Sequence, residues 1–414
     1  MEQFSNRPLR RPIGAMNSFA TNFFHLRNPY TTAWWSMSYP GFGHISMGNY
    51  ISGFLLFFWE MIVNTNAKLN LAILYSFTGR FDMAKEVVDN RWLLLYVLVF
   101  IFAIWDSYRL ALQFNQLAIL ADREEQTIQP VSVSFVEINA LDRRSPWVAV
   151  AWSLVAPGLG HIYTHRIPTG FFLVIWWIAI AYYSYLFQSA QYSALGLFEH
   201  AKAVVDPAWL LYLPSIYGFA VYDAYVNTVE YNRLFEKEQT SFLKQKYQSA
   251  DFKMPIEVEA DMYITGSFEH SIKLELAISE LEQKGISSEH ICAIPMNDPQ
   301  KNMKMFDTIH RADGMSVFDL PTVLGTTFML FGVMWGFMWT WGPIIWGLLS
   351  LFIGGALGFA CKYMYYRLYA QKQTNAGKSK WTEVVLIVAC QKAEAEMVER
   401  LLAGHCALSI GRKE

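Results

Sequence analysis

The sequence predicts an α-helical membrane protein with about six transmembrane helices, followed by a cytoplasmic α+β domain. Three observations predict this fold class: stretches that approach the length of a bilayer span, a gapless internal similarity, and strand–helix–strand patterns near the C-terminus. The 414 residues are 53% hydrophobic, and charged residues make up 16% against a typical ~25%. This composition excludes a disordered or disulfide-stapled chain, and a net charge of −2 gives no basic field for nucleic acid.

Six stretches approach the roughly 20 apolar residues that a membrane helix needs. They are residues 51–63, 92–112, 168–187, 208–226, 320–339 and 342–361. Peptide groups in lipid have to hydrogen-bond within their own segment, so we expect these spans to be helices. Two further apolar runs, at 32–42 and 147–159, are too short to cross and are expected to be interfacial or re-entrant.

The distribution of basic residues predicts the orientation of the spans. Short loops on the cytoplasmic side of a membrane are enriched in Lys and Arg. Such residues precede the first span and follow the second and the sixth, for example at Arg27, Arg144 and Arg367. The loop between the third and fourth spans has Lys202 alone, so we expect a multi-pass protein of the cell membrane with both termini in the cytoplasm.

An internal duplication is the most informative pattern in the chain. At an offset of 117 residues, segment 27–117 overlays segment 144–234 without a gap, and about a third of the aligned pairs are identical. Each copy reads as a short apolar helix, a PGxGH turn, a span, an outer loop and a second span that closes on D-x-Y. Two spans per copy is an even number, so the copies should share one orientation in the membrane.

The PGFGH and PGLGHIY turns, the Gly-Phe that opens the next span and the closing D-x-Y resemble the TM2-domain type of membrane hairpin. This resemblance implies a two-helix membrane unit in each copy and implies no reaction.

The repeated polar residues are the first candidate site. His44 and Asp106 in the first copy match His161 and Asp223 in the second, and each pair could meet near one membrane interface. Such a pair could handle a proton or an ion, it could bind a lipid headgroup, or it could be a hydrogen bond that stabilises the hairpin. Glu60 is a separate candidate because an acidic residue within a span is a potential functional site, and its counterpart in the second copy is Trp177.

The C-terminal third predicts a split α/β domain. Strand-like 261–268, an amphipathic helix over 271–284 and strand-like 290–295 form one βαβ unit, and 383–390, 393–403 and 406–410 repeat the order. This is the ferredoxin-like layout, with strand order 4-1-3-2 and the last two spans inserted between its halves. The predicted segments are 1–26, 27–120, 144–237, a linker at 238–260, 261–317, the inserted hairpin at 318–362, a linker at 363–382, and 383–411.

The inserted hairpin has small residues at helix-packing spacing. Gly332 with Gly336, and Gly354 with Gly358, would let two helix backbones approach closely. A ferredoxin-like layout that encloses a glycine-rich hairpin resembles small bacterial general-stress-type membrane proteins with glycine-zipper inserts. That resemblance is one of architecture and implies no catalytic residue.

No cofactor or metal is predicted. The chain has no Walker A loop, GxGxxG, HExxH or GxSxG motif, and its four cysteines form no CxxC pair. His290 and Cys292 would lie at one edge of the sheet, and His405 and Cys406 at the other. The two pairs would then be too far apart to bind one metal ion together. Asp307, His310 and Asp313 could cluster on a helical turn, although a solvated polar face explains them better.

Three functions remain open at this stage. The first is a non-enzymatic scaffold or accessory subunit that binds the lipid bilayer and docks a protein partner, or a second copy, through the ferredoxin-like domain. The second is a small-solute or ion transporter that uses Glu60, His44, His161, Asp106 and Asp223. The third, a membrane enzyme acting on lipid, would need several of these acids and histidines to converge at one interface.

Overall fold

The computed structural model describes residues 11–124, 128–248, 262–296, 316–370 and 382–413. Within these ranges the chain is mainly helical, with two small hairpin sheets and one four-stranded sheet. The candidate residues Asp307, His310 and Asp313 lie outside the described residues.

The first repeat begins with a β-hairpin and continues as a series of helices. Its elements are β1 (Gly14–Met16), β2 (Thr21–Phe23), α1 (Pro29–Ser38), α2 (Phe42–Ser46), α3 (Tyr50–Ala67), α4 (Leu69–Phe77), α5 (Phe81–Val87) and α6 (Asn90–Arg123). The second repeat has the same order, except that two helices, α12 and α13, occupy the place of α6. Its elements are β3 (Val131–Val133), β4 (Ile138–Ala140), α7 (Pro146–Val155), α8 (Leu159–Tyr163), α9 (Ile167–Tyr183), α10 (Leu186–Ala194), α11 (Phe198–Val204), α12 (Pro207–Leu210) and α13 (Leu213–Tyr247).

Equivalent elements of the two repeats follow the offset of 117 residues closely. Strands β1 and β2 match β3 and β4 residue for residue, although sequence comparison begins the repeat only at Arg27. The PGxGH turns share one backbone conformation, in which Gly41 has φ 101° and Gly158 has φ 104°. A side chain at either position would also clash with the carbonyl of the glycine near the start of the next helix. Both the backbone conformation and the lack of space therefore require glycine at this turn.

The predicted short apolar runs each form two helices joined at this turn. Helix α1 packs along α6, and α7 packs along α13, so neither short helix is isolated at the surface of the helical assembly. The aromatic core between the repeats includes Trp35, Phe42 and Phe219, and the rings of Phe42 and Phe219 stack at 4.2 Å.

Among the described residues two helices are long and apolar enough to cross a membrane: α6 and a C-terminal helix over Gly342–Tyr365. The number rises to four if two bent pairs, α9 with α10 and α11 with the α12–α13 segment, each count as one span. The predicted count of six is therefore not reached by length and composition. One of the predicted spans that falls short is α3, where Glu60 and Asn64 interrupt the apolar sequence.

The C-terminal third consists of an α/β domain interrupted by a helical hairpin. Its elements are β5 (Met262–Phe268), α14 (Ile272–Gln283), β6 (Ile291–Pro295), α15 (Asp319–Gly336), α16 (Gly342–Ala370), β7 (Val384–Cys390), α17 (Ala395–Gly404) and β8 (Ser409–Lys413). The strands lie in the order β6-β7-β5-β8, and every neighbouring pair is antiparallel. This is the predicted 4-1-3-2 order, with the hairpin between the second and third strands.

The last strand is shifted from its predicted position. The sequence placed it over 406–410, whereas β8 begins at Ser409. Cys406 has a positive φ of 65° and belongs to the turn that follows α17, which delays entry into the sheet.

The predicted linker over 238–260 is wrong for its first ten residues. Helix α13 continues without a break to Tyr247, and its last turns enter the core of the α/β domain, where Leu243 and Tyr247 are buried. The polar composition that indicated a linker instead reflects hydrogen bonds between the end of α13 and the α/β domain. Gln239 is fully buried and accepts from the backbone N–H of Ser271 while it hydrogen-bonds the His270 ring.

Candidate functional site

The predicted His–Asp pair of the first repeat is formed in the structure. The turn before α2 places His44 against the middle of α6, where His44 Nε2 lies 3.1 Å from Asp106 Oδ2. The imidazole is fully buried, and the Asp106 side chain is 13% exposed. Arg109, one turn further along α6, donates from Nη2 to Asp106 Oδ1 at 2.6 Å, so the carboxylate has two partners.

The equivalent pair in the second repeat has the same geometry and a drier environment. His161 Nε2 lies 3.1 Å from Asp223 Oδ2, and both side chains are fully buried. The guanidinium here comes from Arg166, at the start of α9, and it forms an ion pair with Asp223. Asn227 also donates to Asp223 Oδ1, at 2.7 Å.

The second cluster reaches across to the first repeat. Arg166 Nη2 donates to the backbone carbonyl of Ile45, the residue after His44, at 3.4 Å. From the N-terminal segment, Arg27 Nη2 donates to Asn227 Oδ1 at 3.3 Å. The cluster around Asp223 therefore joins residues that are far apart in sequence but adjacent where the two repeats meet.

A second repeated contact fixes the segment that precedes each short helix. Asn115 hydrogen-bonds both backbone groups of Arg27, and Asn232 makes the same two bonds with Arg144, at 2.7–2.8 Å. The match of the two asparagines is visible in the sequence, but their role is not, because the partner is a backbone segment 88 residues away. These contacts and the His–Asp pairs join distant parts of each repeat and thereby stabilise it.

Glu60 lies in a cleft away from the His–Asp pairs. The cleft has a volume of about 330 Å³, and helices of both repeats and of the α15–α16 hairpin line it. Glu60 is 4% exposed; its Oε1 accepts from Asn64 Nδ2 at 3.0 Å, and its Oε2 has no hydrogen-bond partner within the described part of the chain. His44, His161, Asp106 and Asp223 are not among the lining residues, so the cleft does not join the candidates into one path.

A short polar chain connects Glu60 to the second repeat. Asn64 Nδ2 also donates to Asn70 Oδ1 at 3.1 Å, and the Asn70 backbone N–H donates back to Asn64 Oδ1. Asn70 Nδ2 donates to the carbonyl of Ala208 at 2.7 Å. Lys68, in the left-handed region with φ 53°, bends the chain between α3 and α4 and so brings Asn70 back towards Asn64.

Glu60 and three polar neighbours in the cleft are not repeated in the second copy. The positions equivalent to Glu60, Asn64, Asn70 and Tyr96 are occupied by Trp177, Ala181, Phe187 and Leu213. Sequence comparison identifies the Glu60 difference but gives no reason to group the other three with it. The grouping depends on the α3–α4 bend and on the start of α6, which only the tertiary structure brings together.

The four predicted packing glycines lie where α15 and α16 approach each other. A methyl group on Gly332 would clash with Ser350, and one on Gly336 would clash with Pro343. Gly354 and Gly358 lie equally close to the backbone of the facing helix. These residues allow close packing of the hairpin and are not part of a ligand site.

Residues that the sequence reasoning did not select form a further polar cluster near the N-terminal hairpin. His25 is buried and lies 3.9 Å from Glu230 Oε2. Burial, followed by the neighbouring Arg27 charge, lowers the pKa of His25 well below its ordinary value, which favours the neutral imidazole. A single histidine without a motif gives no signal of this kind in the sequence.

The cysteine and histidine candidates for metal binding are not brought together. Cys292 lies in β6 at one edge of the sheet, whereas Cys406 precedes β8 at the other. Burial raises the pKa of the Cys292 and Cys390 thiols. Among the described residues no group of three or more His, Cys, Asp or Glu side chains could hold a metal ion.

Comparisons of the chain with protein-family models, with curated proteins and with solved structures find no match.

Proposed function

We propose that this protein is a non-enzymatic membrane scaffold or accessory subunit whose ferredoxin-like domain docks a protein partner or a second copy on the cytoplasmic side. In this proposal six helices cross the cell membrane, namely the two helices of each TM2-like hairpin and those of the glycine-rich hairpin. Both termini are cytoplasmic. We also propose that the α/β domain with its inserted hairpin shares the architecture of bacterial general-stress-type membrane proteins.

The observation that supports the scaffold best is the continuity of α13. Over 35 residues this helix contributes Phe219 and Tyr225 to the core between the repeats, and Leu243 and Tyr247 to the core of the α/β domain. A domain joined by a shared helix transmits its position rigidly, which suits a docking platform better than a flexible tether does. The His–Asp pairs fit the same role because their side chains are engaged with each other and with neighbouring arginines.

A second candidate function is transport of a small solute or ion. One observation favours it: the cleft around Glu60 lies between both repeats and the inserted hairpin, so relative movement of these parts would change access to the carboxylate.

Co-purification of the full chain from native membranes in mild detergent tests the scaffold. We expect a defined complex with one partner, or a defined homo-oligomer. Leu276 on α14 is apolar and 52% exposed, and Leu276→Glu should weaken the complex several-fold. The matched control is Leu195→Glu, the same change at a 65% exposed leucine at the far end of the helical assembly.

The complex should survive the Leu195→Glu change. A protein that stays monomeric and without a partner under these conditions would contradict the scaffold. Equal losses in the two variants would place the docking surface outside the α/β domain.

A further inference from the structure

We propose that the Glu60 cleft is a binding site for a small organic cation, with an ammonium group beside the Glu60 carboxylate and an apolar body against the surrounding aromatic rings. This proposal goes further than the second candidate function, and it names the chemical class that the same site would take. It concerns binding, and it holds whether or not the ligand is then carried across the membrane.

The charge balance of the cleft is the first argument. Glu60 is buried, and one of its carboxylate oxygens has no hydrogen-bond partner within the described residues. None of the described residues that line the cleft is Lys, Arg or His. An ionised carboxylate in such a place needs a positive partner from outside the chain, because burying an unpaired charge is costly.

Two other buried carboxylates of the helical assembly, Asp223 and Glu230, differ from Glu60 in this respect. Asp223 has the Arg166 guanidinium, and Glu230 has Arg233 Nη1 at 2.8 Å. Asp319, the remaining buried carboxylate among the described residues, lies in the first turn of α15, where the helix N-terminus favours negative charge, and it accepts from Asn28 Nδ2 and the Ser316 backbone N–H. The hydrogen-bonding neighbours of Glu60 are Asn64 and the Tyr96 hydroxyl, both neutral, which can orient a carboxylate but cannot neutralise it.

The shape and lining of the cleft are the second argument. Its volume of about 330 Å³ is at the lower end of the range for small-molecule sites. Aromatic side chains of α1, α6, α12–α13 and α15 surround it: Trp34, Tyr39, Tyr96, Phe100, Tyr212 and Phe331. Ring faces attract cations and also pack against apolar groups, so they suit an ammonium ligand with a hydrophobic body better than a bare metal ion.

The difference between the repeats is the third argument. Both repeats keep the His–Asp pair and the Asn contact that stabilise the fold, whereas Glu60, Asn64, Asn70 and Tyr96 occur in the first repeat alone. The fold of the second repeat forms with Trp177 at the Glu60 position, so the repeat architecture does not require an acid there. A role in ligand binding explains why the first repeat has one.

Tryptamine and its neutral isostere tryptophol test the proposal. Binding of each compound to the purified full-length protein is measured by isothermal titration calorimetry. We expect tryptamine to bind at least tenfold more tightly than tryptophol. Glu60→Gln should abolish this preference and weaken tryptamine binding at least tenfold, since glutamine keeps the acceptor for Asn64 and removes the charge.

Glu230→Gln is the matched control, because it makes the same change at a buried glutamate outside the cleft, and it should leave the preference intact. The comparison of the two ligands on the unmodified protein needs no variant, so the proposal stays testable even if Glu60→Gln fails to fold. Equal binding of the two compounds, or no binding of tryptamine, would overturn it.

A flux assay on the same preparation in liposomes separates this proposal from the transport hypothesis. Selective binding without flux would support a cation site and remove transport. Flux of tryptamine that persists in Glu60→Gln, together with unselective binding, would overturn the cation site while leaving transport by another route.

Discussion

Asp106 and Asp223 occupy equivalent positions in the two repeats, yet their surroundings differ. Both accept from a histidine at 3.1 Å, but Asp106 is paired with an arginine that is 41% exposed, whereas Arg166 beside Asp223 is 8% exposed. Water screens the first ion pair, while the second is held in a dry environment. Removing the carboxylate charge should therefore lower the stability of the protein more at Asp223 than at Asp106.

Replacing each aspartate by asparagine tests this inequality. We expect Asp223→Asn to cost about 3–5 kcal/mol of stability, because it leaves the buried Arg166 guanidinium without its counter-ion. Asp106→Asn should cost about 1 kcal/mol or less beyond the loss of the histidine bond. Thermal unfolding of the purified protein in detergent measures the difference, and a larger loss for Asp106→Asn would refute the inferred role of burial.

At the scale of the element, the α15–α16 hairpin illustrates how neighbouring residues of one type differ. Gly354 faces α15, and a methyl group there would clash with the Leu324 carbonyl and the Phe328 side chain. Gly355 is the next residue along the helix and has open space at the same position. The hairpin is therefore packed through one face of α16, and the spacing of glycines alone does not identify that face.

Alanine substitutions at these two glycines form a matched pair. Gly354→Ala should destabilise the protein by about 1–3 kcal/mol, since the two helices have to move apart. Gly355→Ala should be neutral or stabilising by up to about 1 kcal/mol, because alanine favours the helix and meets nothing. The midpoint of thermal unfolding distinguishes them, and similar midpoints for both variants would contradict the packing described here.

At the scale of the whole molecule, α13 decides how the parts are arranged. It begins just after α12, which follows the α10–α11 loop and α11 in the chain, passes the core between the repeats and ends within the α/β domain. Further contacts hold this domain against the second repeat, including an ion pair at 3.1 Å between Arg143 Nη1 and Glu383 Oε2. The α/β domain and the α10–α11 loop therefore lie at opposite ends of the helical assembly, and in the proposed topology they face opposite sides of the membrane.

Labelling of single cysteines tests that topology. In a background with the exposed Cys361 and Cys406 replaced by serine, Glu199→Cys on α11 should react with a membrane-impermeant maleimide in intact cells. Glu289→Cys, beside β6 in the α/β domain, should react only after the cells are permeabilised. Reaction of both positions in intact cells would contradict the proposed orientation.

Much of the local structure could be predicted because it depends on short-range patterns. The offset of 117 residues, the four strands of the α/β sheet and the glycine turn before α2 are encoded in neighbouring residues, and periodicity is sufficient to find them. The pairing of His44 with Asp106 could also be anticipated, because two repeats that share both residues indicate a shared contact. The C-terminal boundary of α13 could not be predicted, since the polar end of this helix becomes buried only where it packs against β6 and the start of α14.

Residue type and spacing are enough to predict the repeat, the order of the elements and the identity of the paired residues. Two other features follow from how the helices pack. Arg166, and not a residue of α13 itself, neutralises Asp223, and Glu60 shares a cleft with Asn70 and Tyr96. Burial and charge compensation depend on which helices contact each other, and the helices that do so here are far apart in the chain. A candidate ligand site appears where that meeting leaves one carboxylate without a positive partner among its described neighbours.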